Sequence, residues 1–101
     1  MEKFLFFRNT ASDAALIPVS KIKSYKTDTN SDAISFLLED PNVGEVDSVV
    51  ISVVLDQVHK VYDSLADALN NPSQTFIVIA DDVDNEYLDL NITGVGLISL
   101  S

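Results

Sequence analysis

The stretch VDSVVISVVLDQVHKVYDSLADALNNP, residues 46–72, changes its hydrophobic period halfway along, and that change decides the fold class. Over residues 46–55, Val49, Ile51, Val53 and Leu55 fall on one face of an extended chain and Val50 and Val54 on the other. β-Branched residues on both faces predict a central strand. From Asp56 onward, Val58, Val61, Tyr62, Leu65, Ala68 and Leu69 recur at helical i, i+3, i+4, i+7 spacing, with Ala66 widening the stripe. Asp56 is the expected N-cap, and Asn71 ends the helix because Pro72 disfavours the α region in the residue before it. Burying such a stripe yields about 1.5–3 kcal/mol for each large side chain, so the helix should lie on one sheet face. His59, Lys60, Asp63, Ser64 and Asp67 should then point to water.

Working outward, KFLFFR (3–8) predicts a strand within the sheet, with Phe4 and Phe6 on one face and Leu5 and Phe7 on the other. NTASDA (9–14) has turn composition, and Pro18 in LIPVSKIKSYK (16–26) places that segment's start at an edge or in a turn. Its regular part is expected over Ile22–Thr27. TDTNSD (27–32) is a hairpin signal before AISFLLE (33–39), and DPNVG (40–44) is a further turn. TFIVIA (75–80) reads as a buried strand. ITGVGLISL (92–100) closes the chain as another, in which Gly94 and Gly96 leave room for a neighbour or mark a bulge. The order predicts a single α+β domain over residues 1–101. It should form a strongly curved, largely antiparallel sheet or small barrel of about six strands with one packed amphipathic helix.

Composition restricts the chemistry. With 47% apolar residues the chain lies well above the disordered range. It has no cysteine, which removes disulfides, thiolate metal sites and a cysteine nucleophile. No run approaches the roughly 18 apolar residues of a membrane span. MEKFLFFR has too short an apolar core for a signal peptide, so an intracellular location is expected, with no membrane partner. The net charge of −10 is uneven: residues 1–30 carry five bases against three acids, and residues 31–101 one base against 13 acids. Such a field repels a phosphate backbone, so a nucleic-acid partner is not expected. Lys21 and Lys23, which alternation would place on one face of a strand, form the one candidate basic patch.

The sharpest candidate site is IVIADDVDNEYLDLNI (77–92), where a buried strand runs into Asp81, Asp82, Asp84, Glu86 and Asp89. Asp82, Asp84 and Glu86 match positions 1, 3 and 5 of a calcium loop, the only metal candidates in the chain. Tyr87 stands where that loop needs glycine, and Thr93 where it needs a closing carboxylate, so the EF-hand pattern fails. Asp81 and Asp82 are adjacent on an extended chain and should point apart, which argues against a shared proton. His59 lacks a nucleophile to serve, and no catalytic residue or cofactor is assigned.

The opening KFLFFRN, the IPVSKI segment, the valine-rich strand before KVYDSLADALNNP, and above all FIVIADD followed by YLDLNITGV resemble a group of small marine bacteriophage proteins, chiefly of phages infecting cyanobacteria. The resemblance covers nearly the whole chain and implies a virion component or phage-encoded accessory protein, without carrying over any catalytic residue. The expectation is therefore a non-enzymatic assembly module, homo-oligomeric or bound to other phage proteins. Its candidate contact surface pairs Lys21 and Lys23 of one copy with Asp81, Asp82, Asp84 and Glu86 of the next. The alternative is a protein that binds a small ligand or a divalent metal through the acidic loop 81–89.

Overall fold

The computed structural model describes residues 2–38 and 47–99, so the turn expected over 40–44 lies outside the described residues. Eight strands and one α-helix follow in order: β1 (Phe4–Thr10), β2 (Asp13–Pro18), β3 (Ile22–Thr27), β4 (Ala33–Leu38), β5 (Ser48–Val53), α1 (Val58–Asn70), β6 (Phe76–Asp81), β7 (Glu86–Tyr87) and β8 (Ile92–Ser99). A 3-10 turn, Val19–Lys21, joins β2 to β3. The α+β class with one helix agrees with the sequence. The single sheet or barrel of about six strands does not: the described strands form two open four-stranded sheets, in the orders β2-β1-β6-β7 and β3-β4-β5-β8. Two strands account for the difference in number. One is β2, half hidden in a segment of turn composition, and the other is β7, whose two residues are too few to show a period.

The first sheet is built on a parallel seam. FLFF of β1 runs beside FIV of β6 in the register Phe4–Phe76, Leu5–Ile77 and Phe6–Val78, then slips by one residue so that Arg8 meets Asp81. The second sheet is antiparallel throughout, with β5 between β4 and β8 as its β-branched composition predicts. Its pairing with β8 skips Gly96, the bulge anticipated at the glycines. The strand stops at Val53 rather than Leu55, whose side chain is exposed.

Alternation sends one face of each sheet into a common core. Leu5, Phe7, Ile77 and Ile79 come from the first sheet, and Ile34, Phe36, Val49 and Ile51 from the second. Phe7 and Phe36 meet edge to face across the sheets at 5.0 Å between centroids, and Tyr25 approaches Phe36 at 5.4 Å in the same manner. Val61, Leu65 and Ala68 of α1 join that cluster. The helix is fixed at Tyr62, whose hydroxyl lies 2.8 Å from Thr27 Oγ1 on β3, and at its C-terminus, where Lys3 Nζ donates to the carbonyls of Asn71 and Gln74.

Asp56 is not the N-cap. Gln57 holds that position without a side-chain bond, because Asp56 takes a left-handed conformation (φ 62°) and donates its N–H to the carbonyl of Ser31. Ser31 is itself left-handed at φ 59°, so the β3–β4 turn and the approach to the helix are held by a bond between two residues of uncommon backbone. The helix ends as expected, with Asn71 extended before Pro72.

Phe36 links both sheets and the Tyr25 ring. Replacing it by Ala should cost about 3–5 kcal/mol, a large part of a small domain's stability, read as a fall in the urea midpoint.

Candidate functional site

The ends of β1 and β6 carry the most elaborate polar arrangement among the described residues. Both strands turn from apolar to charged at matching positions, Arg8 on one and Asp81 on the other. Arg8 grips Asp81 as a fork: Nε donates to Oδ1 at 2.8 Å and Nη2 to Oδ2 at 2.7 Å. Nη2 also reaches Asp84 Oδ2 at 2.9 Å, and the guanidinium carbon stands 5.7 Å from the centre of the Phe6 ring. Asp81 is only 2% exposed, and its Oδ1 also accepts the amides of Val83 at 3.0 Å and Asp84 at 3.3 Å. One carboxylate thus closes the parallel seam and shapes the turn that follows, which Asn85 completes in the left-handed region.

Asp82 leaves the strand on the opposite side, as alternation requires. Its Oδ1 accepts the Tyr87 hydroxyl at 2.8 Å, and its carboxylate accepts the Val95 amide, at 3.1 Å to Oδ2. The pair Asp81–Asp82 therefore divides its work: Asp81 serves the first sheet, and Asp82 ties that sheet to β8 of the second. Close approach requires Gly94, where an added Cβ would lie 3.3 Å from Asp82 Oδ1. Asp89 binds a third element. It accepts the Ser64 hydroxyl from α1, together with the backbone N–H (2.8 Å) and side-chain amide (2.9 Å) of Asn91. Ser64 is accordingly half-buried and does not face water, unlike its helical neighbours His59, Lys60, Asp63 and Asp67.

Electrostatics follow the bonding. The Arg8 fork holds the Asp81 carboxyl below the ordinary aspartate range, against the opposing effect of burial, with the Asp84 and Val83 amides assisting. Burial pushes Asp89 upward, but the bonds from Ser64 and Asn91 outweigh it and the net direction is down. The Asp82 carboxylate, aided by burial, raises the Tyr87 hydroxyl. A general acid working near neutral pH needs a carboxyl pushed the other way from Asp81 and Asp89.

Of the metal candidates, Asp82 is committed to Tyr87 and Val95, Asp84 faces Arg8, and Glu86 is exposed on β7. Among the described residues no three acidic or histidine side chains converge on a point that could hold an ion. Lys21 and Lys23 do not share a strand face: Lys21 ends the 3-10 turn, and Lys23 is the residue skipped in the pairing of β3 with β4. Both are exposed. The room for a neighbour expected at Gly94 is filled by Asp82, whereas sequence reasoning assigned no bonding role to Arg8 or Tyr87 and pointed Ser64 to water. Only the matched charges closing FLFFR and FIVIAD signalled one of them. Comparison of the chain with models of known families, with curated proteins and with solved structures gave no match.

Asp81 and Asp89 have folded-state carboxyls lowered from their unfolded values, so their stabilisation is complete above about pH 4 and disappears as pH falls through the folded values. Urea midpoints should decline below pH 4 in the native chain, and Asp81→Asn should be less stable at pH 7 with a shallower acid decline. Gly94→Ala should cost about 1 kcal/mol, because the Asp82 carboxylate must shift by a few tenths of an ångström against its bonds to Tyr87 and Val95. Tyr87→Phe should cost about 1 kcal/mol alone and reduce the Gly94→Ala penalty, a coupling that a double-mutant cycle measures.

Proposed function

We propose that this chain is a non-enzymatic structural or accessory assembly module, encoded by a marine bacteriophage of the cyanophage type, which acts by contact with further copies of itself or with other phage proteins. The observation that carries this reading is the outer face of the first sheet. Leu16 of β2 and Phe76 of β6, 51% and 54% exposed, flank Phe6 of β1, whose ring lies 5.5 Å from that of Phe76. The helix packs elsewhere, and an apolar face left open on a protein of net charge −10 is a surface for a partner. The phage attribution rests on the resemblance carried by KFLFFRN, FIVIADD and YLDLNITGV.

The acidic loop has a different part in this reading. Asp81, Asp82 and Asp89 are bonded within the chain, leaving Glu86 and the open side of Asp84 to meet Lys21 and Lys23 of another copy. The Phe76→Ser variant separates contact from folding. Stability should change by no more than about 1 kcal/mol, since the ring is more than half exposed, while self-association in sedimentation velocity should weaken. A native chain that sediments as a monomer at high concentration, together with its absence from purified virions by mass spectrometry, would sink the reading.

A further inference from the structure

Each four-stranded sheet ends in two strands with one unpaired side, and open edges invite further strands unless something blocks them. Three of the four edges are blocked. The edge strand β3 carries exposed Lys23 and Lys26 and is bulged at Lys23. β7 has two residues, too few to seat a partner strand. On β8, pairing is broken at Thr93 and at Gly96, and the Val95 amide is already taken by the Asp82 carboxylate.

The fourth edge, β2, keeps such devices to its two ends, with Asp13 and a register shift at the start and Pro18 at the finish. Its pairing with β1 is unbroken from Pro18 to Ala14, and AALI (14–17) carries no charge. The direction of its free groups can be derived. Phe4 donates its N–H to Thr75 and Arg8 offers its carbonyl to the Asp82 amide, so even-numbered residues of β1 bond toward β6 and odd-numbered ones toward β2. Val19 N–H bonds the Lys3 carbonyl, consistent with that phase. By the same alternation Ala15 and Ile17 of β2 face β1, whereas the N–H groups of Ala14 and Leu16 point out from the edge. Pro18, which has no N–H, falls on this outward set.

We propose that two copies of this chain join through β2, edge to edge and antiparallel about a two-fold axis, so that their first sheets continue into one. Such pairing lets the Ala14 and Leu16 amides of each copy bond carbonyls of the other, and it is self-complementary as a symmetric dimer requires. It also places the two exposed Leu16 side chains beside each other, making the apolar outer faces continuous through Phe6 and Phe76. Charge selects the occupant. β2 belongs to residues 1–30, with five bases against three acids, while the rest of the chain has one base against 13 acids. Two molecules meeting at β2 keep their acidic loops apart, because residues 81–89 border β7 at the opposite edge of the same sheet. This rests on the assembly reading and adds to its acid–base contact a separate, uncharged one between two copies.

The test is sedimentation velocity of the full chain in low and high salt, with amide hydrogen exchange at two protein concentrations. A dimer that persists or tightens in high salt is expected, with Ala14 and Leu16 amides exchanging more slowly as concentration rises. Leu16→Pro removes an outward N–H that the monomer fold does not use, and should weaken the dimer on the order of tenfold or more. Leu16→Lys should do the same by charging the edge, and both should melt as cooperatively as the native chain. A dimer untouched by both variants, or one dissolved by salt alone, overturns the β2 contact and leaves the assembly reading standing. A native chain monomeric under every condition overturns both the self-pairing and the homo-oligomeric form of that reading, in favour of a different chain at this edge.

Discussion

The fork between Arg8 and Asp81 joins residues 73 positions apart in the chain, and the rest of the molecule is arranged around it. It closes the end of the parallel seam between β1 and β6, where the first strand of the chain pairs directly with a late one. It also fixes the direction in which the chain leaves β6. With Asp81 turned to one side, Asp82 must turn to the other, where it meets β8 and links the two sheets. A buried ion pair can cost more in desolvation than it returns, but this one is supported by two further amides and a second carboxylate. Its value lies in specifying one register at a seam where the apolar residues alone would allow slippage.

Much of the architecture was legible because hydrophobic period speaks clearly where elements are regular. The change of period at residue 56 placed β5 and α1, alternation marked β4, and the boundaries of β3 agree with the sequence. Elements with little period of their own escaped. β2 mixes alanines with a proline, and β7 needs only two residues because Leu88, past its end, donates to the Ile79 carbonyl. The division into two sheets was illegible for another reason. Each apolar strand announces that it is buried, but not which neighbour buries it.

The acidic loop shows the same limit at the level of chemistry. Five carboxylates in nine residues suggest an ion, or repulsion. Four of them are instead acceptors for groups brought from β1, α1 and β8: Asp81 and Asp84 for Arg8, Asp89 for Ser64 and Asp82 for the Val95 amide. Nothing local in DDVDNEYLD reveals that Arg8, Ser64 and the Val95 amide will arrive. What strand alternation could say, it said correctly: Asp81 and Asp82 diverge. The commitment of these groups turns an apparent ligand set into the joinery of the domain, and it shifts attention to the uncharged face of the first sheet.

The parallel seam has a consequence in time. β1 and β2 can pair as a hairpin as soon as they are made, but β6 lies in the last third of the described chain. Until it is synthesised, Leu5 and Phe7 have no β6 beside them and the Arg8 guanidinium has no partner. Contacts so distant in sequence pay their loop-closure entropy before they return anything, which slows folding. The hairpin thus waits for FIVIAD, and its parallel side is covered only when a segment from far along the chain arrives.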